Sequence, residues 1–246
     1  MTVTLLGAIL EGAVERELIP RNPARGRGRR VRQRAPRRSY LETAAQIEAL
    51  LGAAGELDRE AREDRQHVER RVMLATLTFA RLRIGELCRL RWSDVDLATG
   101  WLRVAESKTD AGIRRVKIRG ALARELRAAS VRGASVSTDA YVFPTSRDGP
   151  QSEDNFRSRV LKAAVERANQ NLARRKLVSL PEGLTPHSLH RTFASILYAL
   201  GEDPVVIMDE MGHTDPGLAL RIYRQAMRRG EDEKAQLRAL VDGTTP

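Results

Sequence analysis

The sequence predicts a mainly α-helical protein with a small antiparallel β-sheet, an α+β arrangement. Apolar residues recur at helical spacing through most of the chain. Two short runs that favour strands, WLRVA at 101–105 and RRVKI at 114–118, flank a KTDAG segment with turn chemistry. At 246 residues the chain can bury a real core, and with 4% aromatic residues that core is mostly Leu, Val, Ile and Ala.

Taken in order, residues 4–18 place Leu6, Ile9, Leu10, Ala13 and Val14 on one helical face, and Pro20 and Pro23 end the helix. One helix cannot make a core, so this piece must dock elsewhere or belong to something absent from the sequence. Residues 25–38 follow with eight arginines (Arg25, Arg27, Arg29, Arg30, Arg32, Arg34, Arg37 and Arg38), no acid and no apolar periodicity. This stretch reads as an extended linker, either a solvated tether or a strand laid along a phosphate backbone. From Ser39 the pattern becomes globular. Helices are predicted over 43–53 and 61–80, the second heavily charged on one side and carrying His67 at its surface. A short helix is predicted over 84–90. The 101–105 and 114–118 runs then form a hairpin with Lys108 near its tip. A helix over 121–130, a short strand at Tyr141–Phe143 and a helix over 153–170 come next. Further helices are predicted over 187–200, 204–211, 216–228 and 231–241. There is no internal repeat.

The net charge of +11 points to a polyanionic partner, nucleic acid before membrane. The competing explanation is an Arg-rich composition without a partner. The single cysteine, Cys88, excludes an intramolecular disulfide, and its place on the inner side of GELCRLRW marks it as a packed, inert thiol. No apolar run approaches the ~18 residues of a membrane span and no signal peptide is visible, so the cytoplasm is the expected location.

The chemistry-bearing residues stand in five short contexts. Arg83 opens a short helix in LRIGEL, with Glu86 placed to orient it or to cap the helix; taken alone this is a common surface pair. Lys108 sits on the hairpin in SKTDAG, able to swing over a ligand. His187 falls in the first turn of a helix after Pro186, where free N–H groups favour anions. His213 lies in MGHTD, in a loop before a helix, and Tyr223 comes two to three turns along that helix in LRIY. Arginine and lysine can neutralise a phosphorane, histidine can hold or move a proton, and tyrosine can attack, so the set suits phosphoryl chemistry without a metal. A His187/His190 metal pair is the rival use of those side chains, but no third ligand stands nearby at suitable spacing.

The order of Arg83 in LRIGEL, Lys108 in SKTDAG, His187 in TPHSL, His213 in MGHTD and Tyr223 in LRIY resembles the tyrosine recombinases, the phage integrase family, over residues 39–240. The resemblance implies the catalytic-domain fold of that family for 39–246. Residues 1–24 would be the last helix of a truncated core-binding domain, and 25–38 an Arg-rich linker. It implies site-specific DNA recombination, with Tyr223 attacking a phosphate of double-stranded DNA to give a 3′-phosphotyrosyl link and a free 5′-hydroxyl. Lys108 would act as general acid, Arg83 would bind the non-bridging oxygens, and His187 and His213 would hold the phosphate and assist proton transfer. No metal and no cofactor are expected. The protein would be a monomer when free and a homo-oligomer on DNA, a tetramer whose C-terminal helix (231–241) docks on a neighbour. Its place would be the cytoplasm, with the nucleoid. A type IB topoisomerase uses similar chemistry as a monomer, but the LRIGEL and MGHTD contexts are recombinase-like.

Two positions depart from the family pattern. His190 stands where His-x-x-Arg has its arginine, and it lacks the reach and bidentate fork of a guanidinium. Arg191 points about 100° away from position 190 on a helix and is not expected to replace it. Arg81 stands where the family usually has a glycine, at a junction that calls for a left-handed backbone. Either it bends the junction and misplaces Arg83, or it adds a phosphate contact. Both departures, with the truncation, leave a second expectation open: a DNA-binding remnant of an integrase that has lost catalysis.

Overall fold

The computed structural model describes residues 2–25, 39–62, 68–104, 114–132, 137–203, 207, 223 and 226–244. The chain divides into two compact units, Met1–Arg38 and Ser39–Pro246. In the first, helix α1 (Thr2–Glu15) is followed by a 3-10 turn, Pro23–Arg25. The Asn22 side-chain amide joins them by donating to the Gly7 carbonyl at 2.8 Å and to Glu11 at 2.6 Å.

The second unit is built around a helix with no solvated face. Helix α2 (Ala44–Arg59) starts at a capping box in which Thr43 accepts from the Gln46 N–H and Gln46 reaches back to the Thr43 N–H. Helix α3 (Arg70–Phe79) lacks a side-chain cap of its own. Asp58 of α2 supplies one, accepting from the Arg70 and Arg71 N–H groups at 3.0 and 2.9 Å. From Val72 to Phe79 every residue of α3 is buried. Its neighbours are α2, helix α4 (Ile84–Cys88), helix α5 (Gly120–Arg132) and helix α8 (Pro186–Ala199). Thr76 and Thr78 satisfy their buried hydroxyls by donating to the Val72 and Leu74 carbonyls at 2.8 and 2.7 Å. The expected charged helix over 61–80 is thereby corrected. Residues 61–62 and 68–69 are not helical, His67 lies outside the described residues, and the helix that follows is central rather than amphipathic.

The sheet has three antiparallel strands in the order β1 (Val95–Asp96), β2 (Trp101–Val104), β3 (Arg114–Lys117). Leu102 pairs with Val95 and Val116, so the apolar positions share the inner face, while Arg103 and Arg115 pair on the outer one. The hairpin tip, 105–113, lies outside the described residues. Tyr141–Phe143 is not a strand. Tyr141 makes one isolated bridge to Arg91, and Pro144, which has no N–H to give, follows at once. The helix expected over 153–170 runs further and changes pitch: α6 (Glu153–Asn155), a π-helical segment (Phe156–Lys162) and α7 (Ala163–Arg174). Phe156, Val160 and Leu161 of the π segment enter the core.

Helix α9 (Glu231–Asp242) buries Leu237, Leu240 and Val241 and packs on α5 and α2 of its own chain. A Cβ on Gly120 would run into the Asp242 carbonyl, so the approach of α9 to the start of α5 requires glycine there. Residues 204–206, 208–222 and 224–225, which hold most of the two helices expected there, lie outside the described residues.

Candidate functional site

Arg83 is set by the junction between α3 and α4. The chain turns there through Arg81, whose φ is +54°. A side chain in that region costs on the order of 1 kcal/mol relative to glycine. The Arg81 guanidinium turns inward, 5.5 Å from the Phe193 ring centroid, and the residue is 5% exposed. Burial first, then the charges of Arg114 and Arg119, lower its pKa to about 10, which leaves it a cation at neutral pH. Arg81 thus adopts the left-handed turn and points its charge into the protein.

Two residues on, Arg83 is extended and begins α4. Its N–H donates to Glu86 Oε2 at 2.7 Å and its guanidinium to Oε1 at 3.3 Å. Glu86 therefore does both things the sequence offered: it caps the helix and orients the arginine. The Arg83 side chain is 54% exposed while that of Glu86 is 8% exposed, so a buried carboxylate holds a presented guanidinium. A second arginine completes the group. Arg114, the first residue of β3, donates to Glu86 at 3.1 and 2.9 Å and to the Arg81 carbonyl at 2.8 Å.

Helix α8 carries the histidines. Thr185 accepts from the Ser188 N–H at 3.2 Å, Ser188 accepts from the Thr185 N–H at 3.0 Å, and Pro186 occupies the first turn. His187 is then exposed at the helix start. His190, one turn on, is 5% exposed. The two rings stack with centroids 5.7 Å apart and planes 10° from parallel. Arg191 is buried as well. Phe193, a further turn along, meets Arg81, so the turn that presents Arg83 is packed against the helix that carries the histidines.

Tyr223 lies over the far part of the same helix. Its ring, partly buried, meets Tyr198 edge-on with centroids 5.5 Å apart at 79°. Six residues later, Arg229 donates to the Ser195 carbonyl and hydroxyl, both at 2.8 Å. Burial is the main cause that lowers the Arg229 pKa and raises that of Tyr198. In the described residues His187 and His190 stand at the start of α8, the Arg83 turn packs on it through Arg81 and Phe193, and Tyr223 meets it at Tyr198 near its other end. Lys108 and His213 lie outside the described residues. Arg25 ends the 3-10 turn, and Arg27, Arg29, Arg30, Arg32, Arg34, Arg37 and Arg38 also lie outside. Among the described residues no three His, Cys, Asp or Glu side chains converge on a metal position, and no helix is long and apolar enough to cross a membrane.

Sequence reasoning passed over Arg114 and Arg229. Arg114 opens the strand that returns from the Lys108 hairpin, yet its partner Glu86 is 28 positions away, and only the fold brings them together. Arg229 had no local signal at all. The Thr185-x-x-Ser188 pair was a readable capping signature.

Comparison with known proteins bears on the family and the fold. The sequence pattern described as the phage integrase family matches residues 42–229. The tyrosine recombinase XerC of Xanthomonas axonopodis pv. citri (strain 306) is 28% identical over 146 residues, 59% of this chain and 43% of that protein. The integrase of Mycobacterium phage FRAT1 is 27% identical over 98% of this chain and 69% of its own length. Among solved structures, the Tn1549 transposon integrase in complex with transposon right end DNA has a TM-score of 0.69 at 19% identity, covering 96% of this chain and 76% of that one. The chain thus spans less than half the length of the XerC relative it matches.

Proposed function

This chain belongs to the phage integrase family, and from that premise we propose that it is a site-specific DNA strand transferase whose nucleophile is Tyr223. The Tyr223 hydroxyl attacks a phosphorus of duplex DNA and gives up its proton to a histidine of the site, the P–O5′ bond breaks, and the leaving 5′ oxygen takes a proton from Lys108. The covalent 3′-phosphotyrosyl link keeps the bond energy, so a second 5′-hydroxyl can reverse the step and rejoin or exchange strands without an external energy source. Arg83 neutralises the non-bridging oxygens, and His187 and His213 hold the phosphate and assist proton movement. Four protomers on two sites share the exchange. The Arg-rich 25–38 adds contacts to the phosphate backbone. The observation that carries this reading is that one helix, α8, supports the candidate residues: it bears His187 at its start, holds the Arg83 turn through Arg81 and Phe193, and meets Tyr223 at Tyr198 near its end.

One observation favours a second reading, a DNA-binding protein that has lost cleavage. His190 occupies the place of an arginine, and it is buried and stacked rather than presented. Loss of one oriented donor to a transition state costs roughly 10²–10³ in rate. The two readings separate on a randomised pool of nicked duplexes that traps any covalent product. His190→Arg is expected to speed adduct formation by about 10²-fold over the native chain. Salt-sensitive binding with no adduct from either protein supports the second reading.

A further inference from the structure

We infer that Arg114 is a positioning residue for Arg83, acting through Glu86; this rests on the reading that Arg83 meets the scissile phosphate. Glu86 accepts from the Arg83 backbone N–H, from the Arg83 guanidinium and from two nitrogens of Arg114. The same Arg114 Nη2 also donates to the carbonyl of Arg81, the residue in the left-handed turn. One side chain therefore fastens both ends of the three-residue link that aims Arg83. A planar guanidinium suits this task because its fixed fork can serve a carboxylate and a carbonyl at once.

The placement of Arg114 gives the contact a second consequence. It opens β3, the strand that returns from the hairpin bearing Lys108. The buried Glu86 carboxylate thereby ties the start of that strand to the arginine helix. The next residue, Arg115, takes the opposite face of the strand, where its guanidinium lies 5.0 Å from the Trp101 ring centroid. It is the matched control: same strand, same charge, no link to Glu86 among its described contacts.

The test compares Arg114→Gln, Arg114→Lys and Arg115→Gln. Hydrogen exchange of the Arg83 amide, read by NMR in the free protein, needs no cleavage activity. It is expected to be at least about tenfold faster in Arg114→Gln, intermediate in Arg114→Lys and unchanged in Arg115→Gln. On nicked duplexes, the adduct-forming rate at saturating DNA should fall at least about tenfold in Arg114→Gln while DNA affinity stays within about twofold. Equal Arg83 exchange in the Arg114 and Arg115 variants overturns the inference, as does an unchanged cleavage rate. Should Arg114→Gln fail to fold, Arg114→Lys carries the exchange comparison, and native exchange in it overturns the inference. If the native chain forms no adduct, the cleavage reading fails and the exchange comparison still decides the role of Arg114.

Discussion

At the scale of the residue, Arg81 shows how a position built for glycine can hold a large side chain. The left-handed turn is kept, and the guanidinium finds a place on Phe193. Arg81→Ala and Arg81→Gly both remove that contact, but only glycine relaxes the backbone. Arg81→Gly is therefore expected to be about 1 kcal/mol more stable than Arg81→Ala, by chemical denaturation. Equal stabilities would mean that φ at this position carries no strain. Cys88 gives a second residue-scale expectation. Burial, then the charge of Glu153, pushes its thiol up to about 11, so at pH 8 it is neutral and enclosed. A disulfide reagent should label it only as the protein unfolds; fast labelling of the native protein would refute this.

At the scale of the element, the ends of helices decide what the site presents. Thr185→Ala removes the box that starts α8 and is expected to cost about 1 kcal/mol, seen as a lower denaturation midpoint, while Thr185→Ser retains most of it. Gly120→Ala forces α9 away from α5 and is expected to cost about 1–3 kcal/mol, with faster proteolysis near the C-terminus. The helices were legible in the sequence because caps and apolar spacing are local signals, and α8 carried both. The charged face expected over 61–80 is corrected because most of those charges precede α3, whose residues from Val72 to Phe79 are all buried. Strand β1 is two residues long and exists only through its pairing with β2, so no window of sequence could show it. Arg83, His187 and Tyr223 were legible by residue type and order. The Arg114–Glu86 contact was not, since it depends on tertiary packing between a strand and a helix.

At the scale of the whole molecule, the charge of +11 and its concentration in residues 25–38 bear on how DNA is held. If that stretch lies along a phosphate backbone, each engaged arginine adds about 0.9 to the salt dependence of the affinity. Replacing Arg27, Arg29, Arg30 and Arg32 with Gln should then flatten the slope of log affinity against log salt by about 3–4. A free tether would leave the slope unchanged. All of this is subordinate to the nucleophile. The most direct measurement is trapping on nicked duplexes followed by peptide mapping of the covalent product. The account predicts an adduct whose DNA is attached through its 3′ phosphate to Tyr223 and which disappears in Tyr223→Phe. An adduct that maps to another residue, or that survives Tyr223→Phe, would contradict it.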